Sequence, residues 1–127
     1  MTWDDANAYC EWRSRLEGRR CRLPFGSERE KAARGVDERR FPWGSQHDPT
    51  WCNMVESRMP EAGRIGPVGE FPVDESPYGV RDLAGNVFDW CLDLFEEDKP
   101  WRTLKGGAFH GGAVWSRSAG RIGFPPH

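Results

Sequence analysis

Residues 79–90 read Gly79-Val80-Arg81-Asp82-Leu83-Ala84-Gly85-Asn86-Val87-Phe88-Asp89-Trp90, and this stretch decides the fold. Asp82 and Asp89 flank a Gly85-Asn86 corner, with the apolar residues Leu83, Val87 and Trp90 set among them. Gly and Asn enter positive-φ backbone more readily than other residues, so the corner can turn successive carbonyls to one side. Carbonyls and carboxylates converging on one point are what a hard cation such as Ca²⁺ requires. The same spacing also describes a tight turn into a buried strand, with both aspartates solvated.

Working outward, Thr2 and Asp5 form a capping box that opens a helix, and Gly18 closes it. Trp3, Ala6, Tyr9, Cys10, Trp12 and Leu16 recur at helical spacing and predict a buried apolar face. Ser27-Glu28-Arg29-Glu30 reads as a second capping box, opening a short helix that ends at Gly35. Trp43 is expected to plug the core beneath the loop Phe41-Pro42-Trp43-Gly44.

The central stretch resembles the G-L-Y-D-M-x-G-N-V-W-E-W signature of the formylglycine-generating enzyme superfamily, which includes sulfatase-modifying factors and many non-enzymatic relatives. Residues 2–12 are similar to that family's S-W-x-D-A-x-A-Y-C-x-W block, and residues 22–35 to its R-L-P-T-E-A-E-W-E-x-A-A-R-G block. The second match departs at Phe25-Gly26-Ser27 and at Arg29, which stands where the family has Trp. Losing that Trp is expected to remove on the order of 2–3 kcal/mol of apolar burial, with Phe25 the nearest replacement. Leu104-Lys105-Gly106-Gly107-Ala108-Phe109 looks like R-G-G-S-W, and Arg117-Ser118-Ala119-Gly120-Arg121 like R-x-A-x-R. The blocks are collinear across the whole chain.

The resemblance implies an α+β, C-type-lectin-like fold, loop-rich, with two short helices and small antiparallel sheets. Residues 1–127 are read as one domain of this family. The family pattern normally has strands before the first helix and a closing G-F-R strand after Pro125-Pro126-His127, so a partial domain is expected.

Composition narrows the classes. Fifteen Gly, ten Pro and seven Trp predict irregular segments pinned by large aromatic side chains. A net charge of −2 with both signs interspersed leaves no footprint for nucleic acid. No apolar run spans a membrane, and the start lacks a signal-peptide pattern, so a cytoplasmic location is expected. The four cysteines, Cys10, Cys21, Cys52 and Cys91, show no C-x-x-C spacing and are expected to be reduced and mostly buried.

For the cation, the resemblance implies Asp82 and Asp89 as side-chain ligands, with the Gly85 and Val87 carbonyls completing the cage. Asp89 stands where the family has Glu and is one methylene shorter. Asn53 lies where the family uses an Asn in another Ca²⁺ site, with Glu61 near its partner acid. Relatives oxidise a sulfatase cysteine to formylglycine with copper and oxygen, using a cysteine pair between the R-G-G-S-W and R-x-A-x-R elements. Here that interval, residues 109–116, holds no Cys, so copper is not expected. His47, His110 and His127 show no spacing for an iron triad.

Two functions follow. One is a formylglycine-generating domain, with the missing cysteine pair pointing to an inactive form. The other is a non-catalytic, lectin-like module that binds a ligand, peptide or protein. In the second reading the contact segment is His110–Ser116, with His110 and Trp115 as ligand-binding residues. The partner is then a protein or peptide, or the remaining parts of a larger chain.

Overall fold

The computed structural model describes residues 1–58 and 63–127, so the expected partner acid Glu61 lies outside the described residues. Helix α1 spans Trp3–Glu17. Thr2 Oγ1 accepts the Asp5 N–H at 3.1 Å and an Asp5 carboxylate oxygen accepts the Thr2 N–H at 2.8 Å, the expected box. Gly18 ends the helix at φ 64°, the left-handed conformation that a Cβ disfavours.

The expected apolar face of α1 is only partly covered. Ala6 is buried, and the Trp3 indole N–H donates to the Cys91 carbonyl at 2.8 Å beneath the Arg102 guanidinium. Tyr9, Trp12 and Leu16 remain exposed, with the Tyr9 and Trp12 rings 5.5 Å apart. Periodicity located the stripe correctly, but its outer part is uncovered: Tyr9, Trp12 and Leu16 face solvent, while Cys10 and Ser14 are half-buried, Ser14 Oγ bonding the Cys21 backbone.

Helix α2 spans Gly26–Arg34 and is capped differently from the expectation. Ser27 lies inside the helix. The Glu28 carboxylate accepts the Phe25 N–H at 2.9 Å, and Asp93, from a distant strand, accepts the Gly26 N–H at 2.5 Å. A carboxylate at this end meets unpaired N–H groups and the positive end of the helix dipole. Phe25 does not replace the family's Trp: it is exposed beside the Arg22 guanidinium. Arg29 itself turns inward and is 5 % exposed.

The sheet is an antiparallel meander of β1 (Asp89–Leu94), β2 (Arg102–Lys105) and β3 (Arg121–Phe124). Trp90 pairs with Leu104 and Leu104 with Ile122; Asp89 pairs with Lys105 and Lys105 with Arg121. Because side chains alternate along a strand, these two rows lie on opposite faces. A register shift interrupts the first pairing between Trp90 and Leu94. β3 already contains Gly123-Phe124, so the sheet has a third strand where none was expected. Gly123 is required there, since a Cβ would collide with the Phe95 ring.

Beside the sheet, Cys52, Met54 and Ala84 form a small buried cluster against which Trp43 and Ala113 pack. Phe41, 3 % exposed, is the more deeply buried aromatic of its loop and stacks on Trp43 with ring centroids 5.0 Å apart. Trp43 covers that core from the side rather than plugging it. Among the described residues, no helix is long and apolar enough to cross a membrane.

Candidate functional site

Two places gather the residues that the sequence singled out: the central turn, and a cleft on the open face of the sheet. In the turn, Asp82 and Asn86 adopt positive φ, at 55° and 68°. Gly85 packs against the backbone of residue 53 so closely that a Cβ would run into the Asn53 carbonyl oxygen. Asn86 N–H donates to that carbonyl at 2.8 Å. The Asn86 side-chain oxygen accepts from Asn53 Nδ2 at 2.9 Å and from the Gly66 N–H at 2.8 Å. Its amide group returns a bond to the Gly66 carbonyl at 3.1 Å. One side chain thus ties three loops, which is the physical reason for Gly and Asn here.

The four groups expected to form a cation cage are largely engaged by the protein's own donors. Asp82 accepts the Gly69 N–H at 2.7 Å, and the Gly85 carbonyl accepts the Val87 N–H at 2.8 Å. Asp89 Oδ2 accepts from Arg29 Nε at 2.9 Å and from Arg29 Nη2 at 2.6 Å. Arg29 Nη2 also donates to the Leu83 carbonyl at 2.7 Å. Of the four groups only Asp89 meets the guanidinium, and a carboxylate already paired with one positive charge attracts a second less strongly. Asn53 is buried and directs Nδ2 to the Arg64 carbonyl at 2.9 Å as well as to Asn86.

Burial governs the acids of this region. The surroundings of Asp89 push its carboxyl up, and Arg29 pulls it back. Part of the Asp89 side chain nevertheless remains open to solvent, its Oδ2 facing inward to Arg29. Asp74 is more deeply placed, accepting the Leu83 and Ala84 N–H groups at 3.3 and 3.0 Å. Burial raises it to about 6, against the bonds from those two amides.

The cleft is lined by Phe88, Trp90, Leu104, His110, Ile122 and Phe124, with Met1 at its edge, and measures about 340 Å³. Its floor is the Trp90–Leu104–Ile122 row of the sheet. The Trp90 and Phe124 rings meet edge-on at 6.2 Å, while His110 stands edge-on to Phe88 at 6.3 Å and to Phe109 at 4.9 Å. His110 is the polar side chain of an otherwise apolar lining. Trp115, also expected as a contact residue, lies over Gly111 and is outside the cleft. Phe88, Trp90, Leu104, Ile122 and Phe124 were missed as site residues; the alternation Phe88-Asp89-Trp90 was the signal available for the first two.

Copper binding by thiolates finds no fitting donor pair near this cleft. Residues 109–116 hold no Cys, and Cys52 and Cys91 are fully buried. Burial, with the nearby carboxylates Asp74 and Asp93 respectively, pushes each of these two thiols up to about 12. Among the described residues, no three His, Cys, Asp or Glu side chains gather closely enough to hold a metal ion.

With this geometry in place, comparison with known proteins defines the class. The family described as "Sulfatase-modifying factor enzyme 1-like domain" matches residues 1–127, and the chain belongs to it. The chain is 33 % identical over 118 residues to "Inactive C-alpha-formylglycine-generating enzyme 2" of Bos taurus, covering 86 % of this chain and 37 % of that protein. It is 36 % identical over 107 residues to the formylglycine-generating enzyme of Thermomonospora curvata, covering 77 % and 33 % respectively. The solved structure of PvdO from Pseudomonas aeruginosa superposes with a TM-score of 0.84 at 25 % identity, over 99 % of this chain and 55 % of that one. The chain therefore spans about a third of the length of these curated relatives, and it shares the fold of the family.

Proposed function

We propose that this domain is a binding member of the formylglycine-generating enzyme family, taking an aromatic or apolar side chain of a protein segment into the Phe88–Trp90–His110 cleft. The observation that carries the reading is the lining itself: aromatic walls, an aliphatic floor and one imidazole, open to solvent. A cleft of about 340 Å³ accepts one large side chain. Aromatic walls supply contact area at low entropic cost, and His110 supplies a hydrogen bond that orients the guest. Trp115 and Val114, exposed on the following loop, extend the contact beyond the cleft.

The thiol chemistry supports a binding role over oxidation within this chain. A thiolate pair is the soft ligand set suited to copper(I), and none stands beside the cleft. The bovine relative with a similar degree of identity carries "inactive" in its name. A second reading is kept by the Thermomonospora relative, which is named as an enzyme. In that reading the domain holds substrate for oxidation of a cysteine to formylglycine by copper and oxygen, with thiols supplied from outside this stretch.

Incubation with copper(I), oxygen and a sulfatase-type cysteine peptide, read by mass spectrometry, separates the two. The binding reading expects no aldehyde product, together with saturable quenching of Trp fluorescence by capped peptides carrying one aromatic residue. Quenching should be lost in His110→Ala. Aldehyde formation by this chain alone contradicts the reading, and so does peptide binding that is indifferent to His110.

A further inference from the structure

The central turn directs the Asp89 carboxylate and the Leu83 carbonyl toward one point, while the Asp82 carboxylate accepts the Gly69 N–H. What faces the first two is Arg29, reaching in from α2. Its Nη2 lies 2.6 Å from Asp89 Oδ2 and 2.7 Å from the Leu83 carbonyl, and its Nε lies 2.9 Å from the same carboxylate oxygen. The guanidinium head sits over Gly106, where a Cβ would collide with Nη2 and stand 3.2 Å from both Asp89 Oδ2 and the Leu83 oxygen. Gly106 therefore leaves room for the guanidinium, and the oxygens are directed at it.

The sequence carries the matching signature. Positions 29 and 89 are two places where the chain departs from the family pattern, Trp becoming Arg and Glu becoming Asp. In the fold these two departures are the two halves of one ion pair. The shorter acid leaves space for a planar, permanently charged head that donates from several N–H groups. A guanidinium bonds oxygen at about 2.6–2.9 Å through directed N–H groups, whereas Ca²⁺ needs six to eight oxygens at about 2.3–2.6 Å. Both cannot fill the same position.

We propose that Arg29 is a built-in cation, its guanidinium replacing a bound divalent ion at the central turn, so that this domain folds independently of Ca²⁺. The inference does not depend on what the aromatic cleft binds.

The test is the melting temperature of the whole chain in chelator and in millimolar Ca²⁺. The wild type is expected to melt within about 1 °C in the two conditions. Arg29→Leu is expected to melt several degrees lower in chelator, with Ca²⁺, but not Mg²⁺, restoring at least half of the loss. Arg29→Lys, which keeps a charge, stays unresponsive to Ca²⁺. A wild type stabilised by Ca²⁺ overturns the proposal, and so does an Arg29→Leu variant that Ca²⁺ leaves unmoved. If Arg29→Leu does not fold in either condition, Tb³⁺ titration of the wild type decides. Saturable Trp-sensitised emission that Asp82→Asn abolishes overturns the proposal; its absence, or its survival in Asp82→Asn, upholds it.

Discussion

Toward α2 the sheet presents Asp89, Asp93, Thr103 and Lys105; on its other side it presents Trp90, Leu104, Ile122 and Phe124. The first face is bound to its helix by ions: Arg29 to Asp89, Lys105 Nζ to Glu30 at 3.0 Å, and Asp93 to the first N–H of α2. The Lys105 side chain is only 2 % exposed. Burial alone would raise Glu30, but Lys105 and Arg34 outweigh it and hold the carboxyl below its ordinary value. The second face is apolar and keeps its cleft open, with Phe124 half exposed. Charge covered by a helix and aromatic surface left uncovered invert the usual arrangement. The difference teaches that the ionic face holds the fold together, while the aromatic face is available for contact.

The largest expected effect that would break or sharpen this contrast is chemical. Cys91 lies on β1 between Asp89 and Asp93, and with a thiol at about 12 it is far less ionised near pH 8 than an ordinary cysteine. Cys52 behaves alike, whereas Cys10 and Cys21 are only partly buried and border one surface groove. Alkylation near pH 8 should modify Cys10 and Cys21 first, although burial raises the Cys10 thiol as well, and the fully buried Cys52 and Cys91 far more slowly. Raising the pH toward 11 should narrow the gap; peptide mapping of the labelled chain reads it. Rapid labelling of Cys91 would show that the ionic face is open to water.

Next in size is Lys105→Met, which strips the buried partner from Glu30. It should cost about 3 kcal/mol, or roughly 10 °C in Tm. Adding Glu30→Leu should return part of that loss, because the carboxylate that lost Lys105 is gone, and the Arg34 guanidinium released by the change is partly exposed and can turn to water. Asp93→Ala removes the α2 cap and should cost about 1 kcal/mol by thermal melting. His110→Ala and Phe124→Ala, on the aromatic face, should stay within about 0.5 kcal/mol of the wild type because both side chains are already exposed.

Much of the fold was legible where the interaction is local. The Thr2–Asp5 box and the Gly18 stop each follow from residues within a few positions, where short-range sterics and hydrogen bonds decide. At the Gly85-Asn86 corner only the positive φ of Asn86 is local, and the contacts to Asn53 and Gly66 are not. Asn53 was read as a cation ligand, whereas its side-chain amide donates to Asn86 and to the Arg64 carbonyl. What escaped was every feature made across the chain. An Arg between Glu28 and Glu30 reads as an exposed helix residue; only Asp89, sixty positions away, reveals that it points inward. Asp93 as the cap of α2 was hidden in the same way, since the first turn of a helix accepts any nearby carboxylate. Of the cleft only His110 was legible as a contact residue; the Trp90–Leu104–Ile122 row and Phe124 join it only through the register of the sheet. The exposed Tyr9–Trp12–Leu16 stripe shows the converse limit, because periodicity finds an apolar face without saying whether anything covers it.

The most direct test of the two-face account measures Tm and aromatic-peptide affinity together on Lys105→Met and on the double variant His110→Ala/Phe124→Ala. The account predicts that Lys105→Met lowers Tm by roughly 10 °C while the folded protein keeps its affinity. It predicts that the double variant melts within about 2 °C of the wild type and binds at least about tenfold more weakly. Loss of affinity in Lys105→Met at a temperature where it is fully folded, or wild-type affinity in the double variant, would contradict it.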